Sequence, residues 1–251
     1  MAGEPTRAVP VQRGGAAAQD LVAVEEPLEL RVEGQAAAVT MRTPGDDLDL
    51  AVGFLLGEGV IDGIDDVRAV AQVAENVVDV RLAEGVPAAR ARSADRAMYR
   101  SSSCGICGVA ALDRLPRPRG PVAPLRLGPE AIAAAVAALT AAMGTFRSTG
   151  GVHGAALVDT TGALLLVRED IGRHNAVDKV LGARLRAEAD AVGLALVVSS
   201  RAGFEIVQKA IAAGCGSVVV FGAATSLAID AAKHANLQLV GWAGREPIVY
   251  G

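Results

Sequence analysis

Polar and apolar positions divide the 251-residue chain into two patterned regions separated by a stretch without a period. In the first region Leu28, Leu30 and Val32 alternate with Glu29, Arg31 and Glu33, and Val39 and Met41 alternate with Thr40 and Arg42. A period of two predicts half-buried strands, and Gly34 between them predicts a hairpin. Thr43-Pro44 reads as a helix N-cap with Pro at the first helical position. Leu48, Ala51, Val52 and Leu55 follow at helical spacing and run out at Gly57 and Gly59. Two more strands are predicted over 67–74 and 78–82, so residues 21–85 read as a small α+β unit. Residues 1–20 are rich in Ala, Gly and Pro and show no period, which predicts a mobile arm.

The second region, 128–251, alternates helix and strand. Pro129 and Glu130 open a helix over 128–143. A hairpin is predicted over 155–158 and 164–167, around Thr161-Gly162. Helices follow over 173–185, 204–213 and 227–235. They alternate with short runs of continuously apolar residues at 194–198, 218–221 and 237–240. Strands apolar on both faces, separated by helices of about ten residues, predict a parallel sheet covered on both sides. The expected class is α/β, a small N-terminal α+β unit joined to a larger three-layer αβα domain with a mixed sheet.

Between them, from residue 90 to 126, eight arginines stand against two aspartates, in a chain whose formal net charge is −4. Pro116, Pro118, Pro121 and Pro124 lie in the same stretch, so 86–127 reads as a basic, largely irregular connection. The apolar fraction of 51% excludes a disordered chain. The overall charge argues against a nucleic-acid partner. No apolar run approaches the ~20 residues of a membrane span. The first 20 residues lack the apolar core of a secretion signal, and three cysteines make no disulfide framework. A cytoplasmic, reducing location is expected.

The sharpest chemical feature is Ser103-Cys104-Gly105-Ile106-Cys107-Gly108, inside the basic connection. Three chemistries fit a C-x-x-C pair flanked by Ser and Gly. It supplies half the ligands of a zinc site; His153, His174, His234 and Cys215 are the other soft ligands, none at ligand spacing. It can close a redox disulfide. It can also carry sulfur, one thiolate holding a persulfide that the second thiol displaces. Nearby arginines lower a thiol pKa and favour the thiolate readings. Cys215, just past a helix end, reads as a small buried thiol.

A second constellation comes from topology. The three parallel strands end in Ser199-Ser200-Arg201, in a segment reaching Thr225-Ser226, and in Trp242-Ala243-Gly244-Arg245. Ligands bind along such an edge, and helix N-termini there favour phosphate. Ser200 and Thr225 also read as N-caps, and Trp242 as a stacking surface or core residue. A third group joins Thr149-Gly150-Gly151-Val152-His153 to the charged run 168–179. That run fits either a structural ion-pair network or an acid–base site using His153 or His174.

In order along the chain, Glu26-Pro27-Leu28, Met41-Arg42-Thr43-Pro44-Gly45, Gly53-Phe54-Leu55, the C-x-x-C segment, Thr149-Gly150-Gly151-Val152-His153, Arg168–Lys179, Ser199-Ser200-Arg201 and Leu239-Val240-Gly241 resemble the FdhD family of formate dehydrogenase accessory proteins. The resemblance spans about residues 25–251. It implies a larger domain like cytidine deaminase, a homodimer, and a sulfurtransferase role. A cysteine desulfurase would load Cys104 as a persulfide, with Cys107 its partner. The sulfur would pass to a molybdenum bis guanine dinucleotide cofactor before insertion into formate dehydrogenase. GDP is the expected mimic of that cofactor, and residues 242–245 match the family's cofactor-binding segment, although the loop before Arg245 is shorter here. Two other readings stay open: a cofactor-binding chaperone without sulfur transfer, and a zinc hydrolase like the deaminases. For the second, His153, His174 and His234 lack the Glu two positions on that a deaminase ligand–base pair needs.

Overall fold

The computed structural model describes residues 3–87, 120–242, 244 and 246–250. Cys104, Cys107, Ala243 and Arg245 lie outside these residues, as does most of the basic connection.

The chain begins with a hairpin, β1 (Thr6–Arg13) paired antiparallel with β2 (Ala16–Ala23). The expected mobile arm over 1–20 is therefore corrected: most of it is regular structure. Gly14 and Gly15 both take positive φ, 61° and 84°, in a two-residue turn. Such a turn needs left-handed backbone at both positions, which glycine supplies without steric cost.

A four-stranded sheet follows, in the order β4-β3-β6-β5, from β3 (Glu26–Val32), β4 (Gln35–Arg42), β5 (Val67–Ala74) and β6 (Val77–Leu82). Leu28, Leu30 and Val32 share a buried face with Val78 and Val80. Helix α1 (Asp47–Gly57) covers that face with Leu50, Ala51 and Leu55. It starts later than expected. Asp46, not Thr43, is its N-cap. Thr43 is buried and bonded elsewhere: its N–H donates to Asp170 (3.1 Å) and its carbonyl accepts from Lys179 (2.8 Å).

The second region forms a six-stranded mixed sheet, β12-β11-β10-β9-β7-β8, from β7 (His153–Val158), β8 (Leu164–Asp170), β9 (Ala195–Val198), β10 (Ser217–Val220), β11 (Gln238–Gly241) and β12 (Ile248–Val249). In this sheet β9, β10 and β11 run parallel to one another; β7–β9, β7–β8 and β11–β12 are antiparallel pairs. Alternate residues of these strands enter two cores. Leu157, Leu196, Val198, Val218 and Leu239 meet α4 (Arg173–Arg186), α5 (Phe204–Ala212) and α6 (Ser226–His234). Ala156, Val197, Val219 and Val240 meet α2 (Pro129–Ala142). The α/β class stands, with helices on both faces. Both crossovers between the parallel strands put their helices on the same face, so the strand order does not reverse between β9 and β11. A short helix, α3 (Gly144–Thr149), follows α2 and was not expected from the sequence.

The two regions are joined where α1 crosses α4. A Cβ added to Gly53 would lie 1.9 Å from the Asp178 carbonyl oxygen, and one added to Gly182 would lie 1.9 Å from that of Asp49. The helices meet backbone to backbone, with no room for a methyl group. Overpacking a rigid interior costs ~1–3 kcal/mol and more where backbone must move. Gly53→Ala and Gly182→Ala should each lower the stability measured by urea unfolding by about 2–4 kcal/mol. Gly63→Ala, whose added Cβ meets nothing within 4 Å, should change it by less than about 0.5 kcal/mol. Equal effects at all three positions would contradict the crossing.

Candidate functional site

The charged run 168–179 resolves largely into structure. Asp170 and Lys179 are both fully buried and pair at 2.8 Å. Asp170 also accepts from the N–H groups of Thr43 and Gly172 and from the Asn175 amide. Asn175 donates to the Met41 carbonyl (2.8 Å) and accepts from Thr40. Arg168 and Arg186 both pair with Asp49 on α1, and Asp178 pairs with Lys209 on α5 at 2.6 Å. Burial pushes the Asp170 carboxyl upward and that of Asp178 up to about 6, against the pull of their lysine partners. The density of charge in this run comes from tying β4, α1, β8, α4 and α5 together.

Removing one member of a buried pair leaves an uncompensated charge, at ~3–5 kcal/mol. Asp170→Asn should therefore destabilise the fold by about that amount. Adding Lys179→Met should cost less than the sum of the two single changes. A double-mutant cycle by chemical denaturation measures this, and strict additivity would contradict the pairing.

Glu169 faces the other way. Its two carboxylate oxygens accept from the N–H groups of Thr145 and Phe146, each at 2.8 Å. It thereby fixes the start of α3 and the segment Thr149-Gly150-Gly151 behind it. That segment leads into His153 on β7, which pairs in the ladder with Asp170.

The predicted site residues lie at the carboxyl ends of β9, β10 and β11. Ser199, Phe221 and Trp242 follow strand positions held in register, Val198, Val220 and Gly241. Phe221 and Trp242 pack against the core on the α2 side. Trp242 is half-buried and its N–H donates to Val220 (2.7 Å). Arg201 is exposed, its stem lying over Gly222. Thr225 caps α6 by accepting from the Ala228 N–H, as expected, and Ser226 begins that helix exposed. Ser200 does not cap. Its hydroxyl donates to the Arg201 carbonyl, and α5 begins at Phe204 with Gly203 as N-cap. Arg201 lies next to Ala202, whose carbonyl accepts from the Thr225 N–H at the N-cap of α6, and three positions before α5 begins.

Ser199 opens into a cavity of about 320 Å³ between α2, α3 and the sheet edge. Met143, Phe146, His153, Ile171 and Phe221 contribute to its walls. A neighbouring cavity of about 550 Å³ shares Gly151 and Ile171 with it and is lined by Thr149, Arg173, Glu25 and Ala23 of β2. Ser199 Oγ accepts from the Gly154 N–H (2.9 Å) and lies 3.4 Å from His153 Nδ1. Burial and the nearby Arg173 hold the His153 pKa below its ordinary 6.5, with Asp170 pulling the other way. His153 was flagged by its glycine-rich motif but not placed at the sheet edge, because no local pattern pairs it with Ser199, 46 positions away. In a proton NMR titration His153 should have its midpoint below 6.5; a midpoint at or above that value would contradict this environment.

His174 lies 3.1 Å from Glu205, which ties the starts of α4 and α5. His234 is exposed, near the end of α6. Cys215 is fully buried and its thiol is pushed up to about 12 by burial, so it stays protonated and unreactive. Among the described residues no helix is long and apolar enough to cross a membrane.

These features define a mixed α/β protein with adjoining ligand-sized cavities at the carboxyl edge of its parallel strands. Residues 23–250 match the model of the FdhD/NarQ family, and the chain belongs to that family. It is 45% identical over 254 aligned positions to the sulfur carrier protein FdhD of Anaeromyxobacter dehalogenans strain 2CP-1, covering 92% of this chain and 86% of that one. It is also 45% identical to the sulfur carrier protein FdhD of Nocardia farcinica, covering 89% and 83%. The fold is similar to the crystal structure of a protein from Desulfotalea psychrophila assigned as a formate dehydrogenase accessory protein. That match has a TM-score of 0.77 and 23% identity, and covers 98% of this chain and 96% of the other.

Proposed function

We propose that this protein is a sulfur carrier serving the maturation of a formate dehydrogenase. The observation that carries the reading is the match of residues 23–250, a span that includes Cys104-Gly105-Ile106-Cys107, to the family model, with relatives 45% identical named as sulfur carriers. The buried, protonated Cys215 leaves those two thiols for the chemistry. In the proposed reaction the Cys104 thiolate attacks the outer sulfur of a cysteine desulfurase's persulfide. A new S–S bond forms on Cys104 and the desulfurase thiolate leaves. Cys107 then attacks Cys104, closing a disulfide and releasing the outer sulfur as sulfide to the acceptor; a cellular thiol reductant restores the pair. The proposed acceptor is the molybdenum bis guanine dinucleotide cofactor, bound as a substrate by a homodimer in the cytoplasm.

The sheet edge supports the nucleotide part of this reading. Arg201 and the starts of α5 and α6 offer cationic and N–H groups for phosphate. Ser199, Ser200, Thr225, Ser226 and the segment Trp242 to Arg245 complete the proposed crevice.

Incubation with a cysteine desulfurase and cysteine should add one sulfur atom, about 32 Da, to the peptide carrying Cys104. Cys104→Ala should abolish the adduct and the maturation of active formate dehydrogenase. Normal maturation by that variant would favour a cofactor-binding chaperone instead. In calorimetry, Arg201→Ala should weaken GDP binding by roughly 10- to 150-fold, while Cys104→Ala should leave it unchanged. GDP binding as tight as that of the parent in both Arg201→Ala and Arg245→Ala would remove the nucleotide from this crevice.

A further inference from the structure

We propose that α5 is a proton-controlled latch between the two regions, held by a ladder of two charge pairs along its seam with α4 and loosened as the ladder loses protons. The latch stands apart from the sulfur-carrier reading and does not depend on it.

Four charged side chains meet along this seam at helical spacing. His174 and Asp178 lie one turn apart on α4, and Glu205 and Lys209 one turn apart on α5. His174 Nε2 is 3.1 Å from Glu205, and Lys209 Nζ is 2.6 Å from Asp178. The first pair is partly buried, and the second is 2% and 7% exposed. Each helix carries one group of either sign, so a slip of one turn would set like charges against each other. The C-terminal end of α1 closes the other side. The Gln208 amide donates to the Gly57 carbonyl (3.0 Å), and the Lys209 ammonium lies 5.7 Å from the centre of the Phe54 ring. Glu58, the C-cap of α1, and Glu205 both act on Asp178 with like charge. Helix α5 leads directly out of Ser199-Ser200-Arg201, so its release reaches the sheet edge as well as α1.

The direction of the pH effect follows from the closed geometry. Burial raises the Asp178 carboxyl to about 6, against the pull of Lys209 and with a smaller push from Glu58 and Glu205. Opening α5 returns that carboxyl to water and to its ordinary 3.8. The closed latch therefore binds the proton more tightly than the open one. Its added stability is complete below 3.8 and is lost as pH rises through about 6. A protonated Asp178 still accepts from Lys209 through its carbonyl oxygen, without the cost of a buried negative charge beside two others. The other pair acts in the same direction, since His174 and Glu205 form an ion pair only while the imidazole is protonated. Acid holds α5 in place, and a rise through neutrality loosens it.

Amide hydrogen exchange on the full chain, with each rate divided by the intrinsic rate at the same pH, tests the latch. Between about pH 5 and about pH 7.5 the amides of α5 should lose about tenfold in protection. Those of α6, which carries neither pair, should lose less than about twofold. Asp178→Asn combined with Lys209→Met removes both charges of the buried pair and leaves neither partner stranded. In that variant the loss in α5 should shrink to less than about threefold, the share of His174 and Glu205. His174→Gln added to it should flatten the profile. Equal losses in α5 and α6 of the unaltered protein mean that α5 opens only with the whole fold, and overturn the latch. No loss in α5 overturns it too. A tenfold loss that survives in the triple variant places the titration elsewhere and is equally fatal to it.

Discussion

The crossing of α1 and α4 at Gly53 and Gly182 sets the distance on which the other contacts between the two regions depend. With no side chain between them, the helices approach until backbone meets backbone. That places the carboxylates of Asp49 and Asp178 inside the molecule, where an unpaired charge is expensive. Arg168 and Arg186 converge on Asp49, Lys209 on Asp178, and Lys179 on Asp170 and the Thr43 carbonyl. Apolar packing alone would tolerate sliding along the helix axis. These pairs do not, because a slip of one turn would strand several buried charges at once.

The same strand that closes this interface also anchors the helix that carries Phe146 of the cavity wall. Along β8, Arg168 reaches α1, Glu169 caps α3, and Asp170 receives Lys179. Three successive residues thus join the small sheet, the helix carrying Phe146, and the buried pair beside the Gly172 turn. His153 is paired with Asp170 in the β7–β8 ladder and Gly154 with Ser199 across β9. The two polar groups of the cavity are therefore anchored to the paired strands β7, β8 and β9, and the aromatic wall is anchored through Glu169. A site held this way keeps its geometry before a ligand arrives, which limits the ordering cost of binding.

The chemistry proposed for the protein divides between thiols and the sheet edge. Cys215 shows what burial does to a cysteine here: with its pKa near 12 it has almost no thiolate. The proposed reactivity needs cysteines set among cations, and the arginine-rich stretch around Cys104 and Cys107 has that composition. The sheet edge offers an exposed cation, two helix starts and a largely apolar cavity.

Much of this was legible along the chain, because strand and helix periods are local. The alternation of Leu28, Leu30 and Val32, the apolar runs of β9, β10 and β11, and the stripe on α1 each state which face is buried. The C-x-x-C pair and the strand-end residues were also visible in the sequence. The first hairpin was not, because its strands are largely exposed on both faces and so carry no alternation; Gly14-Gly15 was its one local signal. The start of α1 was misplaced because Thr43 is bound by Asp170 and Lys179, partners more than 120 positions away. Ser200 has the composition of a cap, but the loop it sits in runs on to Gly203 before α5 begins. Tertiary structure alone decided which charges of the 168–179 run pair, why Gly53 and Gly182 tolerate no side chain, and that His153 meets Ser199 at the sheet edge. Local sequence sets which faces want burial, but the partner of each buried charge and the contact at each glycine exist only once distant segments are brought together.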